Sequence, residues 1–279
     1  MEGDANGNMA HHLRACTEFA RHIVASEADH TDNDLVGVSL EVYVYLALLA
    51  YLEGPSSRLP SSSSDHLLST LDHLRNYRTF GSLLGCAHRL YELIPEVSDL
   101  VWCRRRRSSG SDYQSTDEAY EALKTRIESW PDETDTGPGS PGPLSETSAE
   151  YAAGVMIRNT LLMLLHHSQI FGRPALKQAM TEKIQPLVDD NMAFLDVLSD
   201  APVANVSLWL LVVTGSMMQK SDQKQCLAQR LKSHHSQTPV ASRAVEILTW
   251  IWNDPEKDSY GLYGVAKVAS EHMTHICLT

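Results

Sequence analysis

The sequence lacks the usual marks of catalytic and cofactor-binding chemistry. It has no Gly-flanked serine elbow, no phosphate-cradling glycine loop and no dinucleotide fingerprint. These absences argue against hydrolase, nucleotide-binding and oxidoreductase classes. No catalytic residue, cofactor site or metal site is assigned, and the chain is read as a non-enzyme.

Cysteine is also sparse. The five cysteines, Cys16, Cys86, Cys103, Cys226 and Cys277, are widely spaced. No pair has zinc-ligand spacing, and no dense disulfide framework is suggested. Reduced, mostly buried thiols are expected. The apolar surroundings of Cys86 point to packing rather than reactivity.

Positive charge is scarce as well. With 23 Lys and Arg against 35 Asp and Glu, the formal net charge is −12. A surface of that sign repels phosphates, so autonomous DNA binding is not expected. The N-terminal stretch MEGDANGNMAHHLRAC has no basic segment followed by an apolar core, and no signal peptide is expected.

The longest apolar tract, Leu35 to Gly54, approaches the roughly 20 residues of a membrane span, but it carries Glu41 near its middle. A helix buried among other helices is expected, with no membrane contact.

What the sequence does contain is helical periodicity. β-Branched residues do not dominate, and the only alternating stretch, VSLEVYVYL, has helical flanks. The expected architecture is all-α: a multi-helix array of roughly ten helices, one domain over residues 1–279, with a flexible loop over 131–147.

A first helix is predicted over 9–28, with Leu13, Cys16, Ala20, Ile23 and Val24 on one face. The apolar helix then ends at Gly54-Pro55, and a Ser-rich loop covers 55–65. Asp65 is placed to cap a helix running to Tyr77. Leu83 to Val101 has helical spacing that Pro95 should interrupt or kink.

Residues 111–130 repeat Thr116, Tyr120, Leu123, Ile127 and Trp130 at steps of three and four. The second half adds helices over 148–172 and from Pro174, the latter with Pro186 in its interior. One more ends near Gly215, where a Gly-assisted turn is expected. Others run over 222–233, capped by Ser221 or Asp222, and from Pro239, capped by Thr238. A last helix reaches His275.

Thirteen histidines prompt a search for metal ligands. His11-His12, His166-His167 and His234-His235 are adjacent pairs, and helical neighbours point about 100° apart, so such pairs do not close easily on one ion. His272 and His275 are three apart, but no Cys or carboxylate joins them at ligand spacing. Surface or capping histidines are expected. Asp189-Asp190 is expected to be solvated.

The only dense positive run is Arg104, Arg105, Arg106 and Arg107. It fits a nuclear-import signal or a contact for anionic partners. It equally fits a helix C-terminus, where cations oppose the dipole.

Taken in order, four segments carry a family likeness: FGSLLGCAHRLYELIPEVSDL (Phe80–Leu100), AYEALKTRIESW (Ala119–Trp130), EYAAGVMIRNTLLMLLHHSQIFG (Glu150–Gly172), and SLWLLVVTGSMMQKSDQKQCLAQRLKS (Ser207–Ser233) with EILTWIW (Glu246–Trp252). Over about 36–255 the chain resembles the fungal-specific transcription factor domain. That domain is the helical regulatory region downstream of binuclear zinc-cluster DNA-binding domains.

The six-cysteine cluster is missing from this sequence, as are the basic residues and coiled-coil linker that follow it. The Arg common after the acidic residue in the fourth segment is replaced by Gln223 or Lys224. DNA binding therefore does not carry over.

The resemblance implies a helical regulatory scaffold, nuclear location and control of transcription, often of metabolic or secondary-metabolite genes. It also implies protein partners, a homodimer or another transcription factor, and a small-molecule effector. The alternatives are a helical interaction scaffold without transcriptional role, cytoplasmic rather than nuclear, and a helical enzyme of unrecognised type.

Overall fold

The computed structural model describes residues 9–26, 32–53, 67, 70–106, 114–131, 149–198, 208–234, 239–254 and 260–272. The loop at 55–65, Asp65, most of the loop at 131–147, Thr238 and His275 lie outside them. Among the described residues there is no strand, and α-helices carry most of the chain.

Helix α1, Met9–Val24, buries Leu13, Thr17, Ala20 and Ile23 and turns its other side to solvent. Leu13, Ala20 and Ile23 lie on the inner face as the spacing predicted, but Thr17 takes the place expected of Cys16, which is exposed. Helix α2, Asp34–Glu53, starts where Asn33 Oδ1 accepts the Val36 N–H at 3.2 Å, a side-chain N-cap. Its length and composition would suit a membrane span, yet from Leu40 onward every residue but Val42 is buried or half-buried. Leu35, Val38 and Val42 are its exposed apolar positions.

The segment from Phe80 to Leu84 is a series of turns, so the helical spacing expected from Leu83 starts too early by two residues. Two facts explain the difference. Gly81 and Gly85 adopt φ of 94° and 55°, in the left-handed region. The backbone N–H groups of Gly81, Leu83 and Leu84 are all taken by the Glu41 carboxylate.

A 3₁₀ turn, Gly85–Ala87, leads into the short α3, His88–Tyr91, and then α4, Ile94–Arg106. Pro95 is the second residue of α4. It therefore interrupts the pattern by opening a new helix, where its missing N–H has no intrahelical partner to lose.

Helix α5, Gln114–Glu128, buries Thr116, Tyr120, Leu123 and Ile127, and Trp130 follows on the same side. Helix α6, Ala149–Ser168, is buried almost throughout and forms the axis of the fold. Its most extensive partner is α7, Lys177–Leu198, which continues through Pro186. Gly154 lets the Trp130 indole lie against the α6 backbone, since a Cβ there would overlap the indole edge.

Helix α8, Leu208–Ser216, is buried along its whole length, Trp209 and Leu211 included. Gly215 lies inside it rather than in a turn. Its value is close packing, because a Cβ would sit 2.7 Å from Leu227 and 2.9 Å from Leu248. Helix α9, Ser221–His234, turns Leu227 and Leu231 inward. Ser221 and Asp222 form its first turn rather than its cap. Helices α10, Pro239–Asn253, and α11, Gly261–Glu271, close the array against α8.

Candidate functional site

The polar chemistry of this core gathers at the C-terminal end of α6. Arg104, first of the arginine run, has a side chain only 2% exposed. Its Nη2 donates to the Thr116 carbonyl at 2.6 Å and to Asp117 Oδ1 at 2.7 Å. Arg173 clasps the same carboxylate, with Nη1 to Oδ1 at 3.1 Å and Nη2 to Oδ2 at 2.8 Å.

Two guanidiniums thus share one aspartate, tying α4 to α5 and to the turn after α6. Burial, with Arg173 nearby, lowers the Arg104 pKa against the pull of Asp117. Burial acts to raise the Asp117 carboxyl, but hydrogen bonds and charge from Arg173 and Arg104 outweigh it and hold it below the usual range.

The rest of the run is divided. The Arg105 guanidinium lies over the Tyr263 ring of α11, 3.0 Å from its centroid. Arg106 is exposed, and Arg107 lies outside the described residues. Arg104 and Arg105 therefore hold α4 in place, and Arg106 alone of the described three stands open to solvent.

Next to this cluster, His166 and His167 are both buried, 5% exposed each, where surface histidines were expected. His166 Nδ1 and the Tyr120 hydroxyl are 2.8 Å apart. His167 meets Phe171 and Tyr260 edge-on, and a Cβ on Gly261 would come within 2.6 Å of its Nδ1.

Burial, reinforced by Lys183 and Lys124, pushes His166 down to about 4. Burial, reinforced by Arg105, pushes His167 down to about 4. Both imidazoles are neutral near pH 7. The Tyr120 hydroxyl is pushed up to about 12, mainly by burial.

A second polar network binds α6, α7 and α8. Asn159 Nδ2 donates to Asn191 Oδ1 at 3.1 Å. Asn191 Nδ2 donates to Thr160 Oγ1 at 3.3 Å and Thr214 Oγ1 at 3.0 Å. All four residues are buried. Asn191, bonded through both its amide oxygen and nitrogen, ties the three helices in register, because slippage would strand it in the core.

The carbonyls at the end of α8 are held from several directions. Trp252 Nε1 donates to the Gly215 carbonyl at 2.9 Å. Gln185 Nε2 and the Tyr260 hydroxyl donate to the Met217 carbonyl at 3.0 Å and 2.9 Å. Asp189 is exposed, as expected, and also accepts Lys220 on both oxygens at 2.8 Å and Gln223 at 2.6 Å.

The remaining candidates stay apart. Cys16 is exposed, and Cys103 and Cys226 are half-buried free thiols, where mostly buried thiols were expected. His272 is exposed and stacks on Trp250 at 3.7 Å. Among the described residues, no group of three or more His, Cys, Asp or Glu is placed to hold a metal ion.

Sequence patterning missed Glu41 as an anchor, the buried histidines and the Asn159–Asn191 network. Each left a trace: a lone carboxylate, two histidines and an asparagine inside otherwise apolar helices. Chemically, the arrangement positions helices. Its charged groups are directed at one another, Arg104 and Arg173 at Asp117 and Lys220 at Asp189.

The model of the fungal specific transcription factor domain matches residues 1–266, more than the 36–255 of the sequence likeness. The chain belongs to that family, a family of regulatory regions of transcription factors. No curated protein and no solved structure matches it.

Proposed function

We propose that this protein regulates transcription in the nucleus through its helical domain, acting on metabolic or secondary-metabolite genes. The observation that carries the proposal is the family match across 1–266. The domain works by contact with protein partners, a second copy or another transcription factor, and responds to a small-molecule effector.

A helical array held in register by shared polar clusters has discrete alternative packings for such ligands to select. The net charge of −12 opposes contact of this domain with DNA phosphates. The domain performs no catalysis.

The test is a reporter assay with the chain tethered to a heterologous DNA-binding domain. Activation, repression or interference with a full-length relative is expected. A reporter indifferent in all three formats rejects the proposal. A tagged chain excluded from nuclei would reject the nuclear part and favour a cytoplasmic scaffold.

A further inference from the structure

Between the buried anchors Tyr77 and Leu84 the chain crosses α2 as a run of turns over 78–83. None of the residues in that run is buried. Polar contacts tie it down. Glu41 Oε1 accepts the N–H groups of Gly81 at 3.1 Å and Leu83 at 2.8 Å. Arg78 Nη2 donates to Asp34 Oδ2 at 2.7 Å on the exposed rim, and Phe80 lies edge-on to His88.

The seam beneath the run is imperfect. Glu41 is fully buried, yet its Oε2 has no hydrogen-bond partner among the described residues, and neither has the buried Thr79 Oγ1. Thr79 sits over Gly37, one turn before Glu41 on the same side of α2, and a Cβ on Gly37 would come within 2.3 Å of Thr79 Oγ1. Buried oxygens without partners cost free energy that water restores once the seam parts. Gly81, at φ 94°, lets the run change course there with no Cβ in the way.

We propose that residues 78–83 are a strap that opens on its own over α2, with the Glu41 carboxylate as its latch and the rest of the array staying folded. Few buried apolar contacts and a polar latch are the marks of a segment that opens below the cost of global unfolding. Opening releases the Gly81 and Leu83 N–H groups. Leu84, which is buried, stays seated with its N–H on the same Glu41 oxygen. The open strap uncovers the notch at Gly37 and the Glu41 carboxylate, a second state of this face that a ligand can select.

The test is native-state hydrogen exchange on the folded full chain in sub-denaturing urea. It is read at Gly81 and Leu83, and at Leu161 and Leu164 in the core of α6. The strap amides are expected to exchange at least about a hundredfold faster than the α6 amides, at a rate nearly indifferent to urea, because little surface is exposed. Glu41→Gln replaces a charged acceptor by a neutral one and should quicken strap exchange about tenfold further. In that variant the α6 amides should still exchange only through urea-sensitive unfolding. Strap amides that keep step with those of α6 across the urea series overturn the proposal. So do strap amides with no protection in the parent chain, or with the parent's protection in Glu41→Gln.

Discussion

Glu41 Oε1 accepts the Leu83 backbone N–H at 2.8 Å, joining the middle of α2 to a turn some forty residues further along the chain. The same oxygen takes the N–H groups of Gly81 and Leu84. The carboxylate thereby does for the turn what a helix would otherwise do: it satisfies backbone donors away from water. Replacing Glu41 with Ala orphans those donors and should lower stability by about 3 kcal/mol or more. Glu41→Gln keeps an acceptor oxygen and should lose distinctly less. Urea denaturation of the two variants separates the outcomes, and equal losses would refute this role.

The buried histidines make stability depend on pH. Their folded pKa values lie near 4, below the ordinary 6.5. The unfolded chain therefore binds protons between about pH 6.5 and 4 that the folded chain refuses. Stability is full above 6.5 and falls as pH drops through that window. Each histidine steepens the fall by up to about 1.4 kcal/mol per pH unit. His166→Gln should flatten the curve of melting temperature against pH. An unchanged slope would show that His166 titrates normally in the folded state.

Gly154 faces the Trp130 indole with no room for a side chain. Gly154→Ala must displace the indole or spread α6 from the end of α5. A loss of about 1–3 kcal/mol is expected, despite the better helix propensity of alanine. Tryptophan emission should shift to longer wavelength as Trp130 gains water. A variant as stable as the parent would contradict this packing.

Arg104→Met removes the buried member of the shared-aspartate cluster and leaves Asp117 with Arg173. Because Asp117 is 40% exposed, solvent screens part of the change. A loss of about 1–3 kcal/mol is expected. Arg106→Gln, at the exposed end of the run, should lie within about 0.5 kcal/mol of the parent. Chemical denaturation of both variants is the measurement, and equal effects would argue against the division of the run.

The fold was largely legible because its helices have one-sided apolar spacing. Tyr120, Leu123 and Ile127 announce α5, and Pro239 marks the start of α10. Tertiary partners were not legible. Nothing local to Arg104 says that Asp117 and Arg173 will meet there, so a run of like residues looked uniform.

The burial of His166 and His167 is foreshadowed only by the apolar stretch before them, since their adjacency in the chain argues merely against a shared metal ion. Gly215 was taken for a turn because glycine suits both turns and close packing, and only the neighbours Leu227 and Leu248 distinguish them. The polar centre was the least legible part, since every one of its contacts joins distant segments.

The stacking of Arg105 on Tyr263 sets a limit on truncation. A chain ending at Asp254 would lose that ring, together with Tyr260 and Gly261, which cover His167. A half-covered cation would become a fully exposed charge, and a dry imidazole would be wetted. Deletion mapping that stops short of α11 would then score an arginine signal and a pH response that the longer chain keeps hidden.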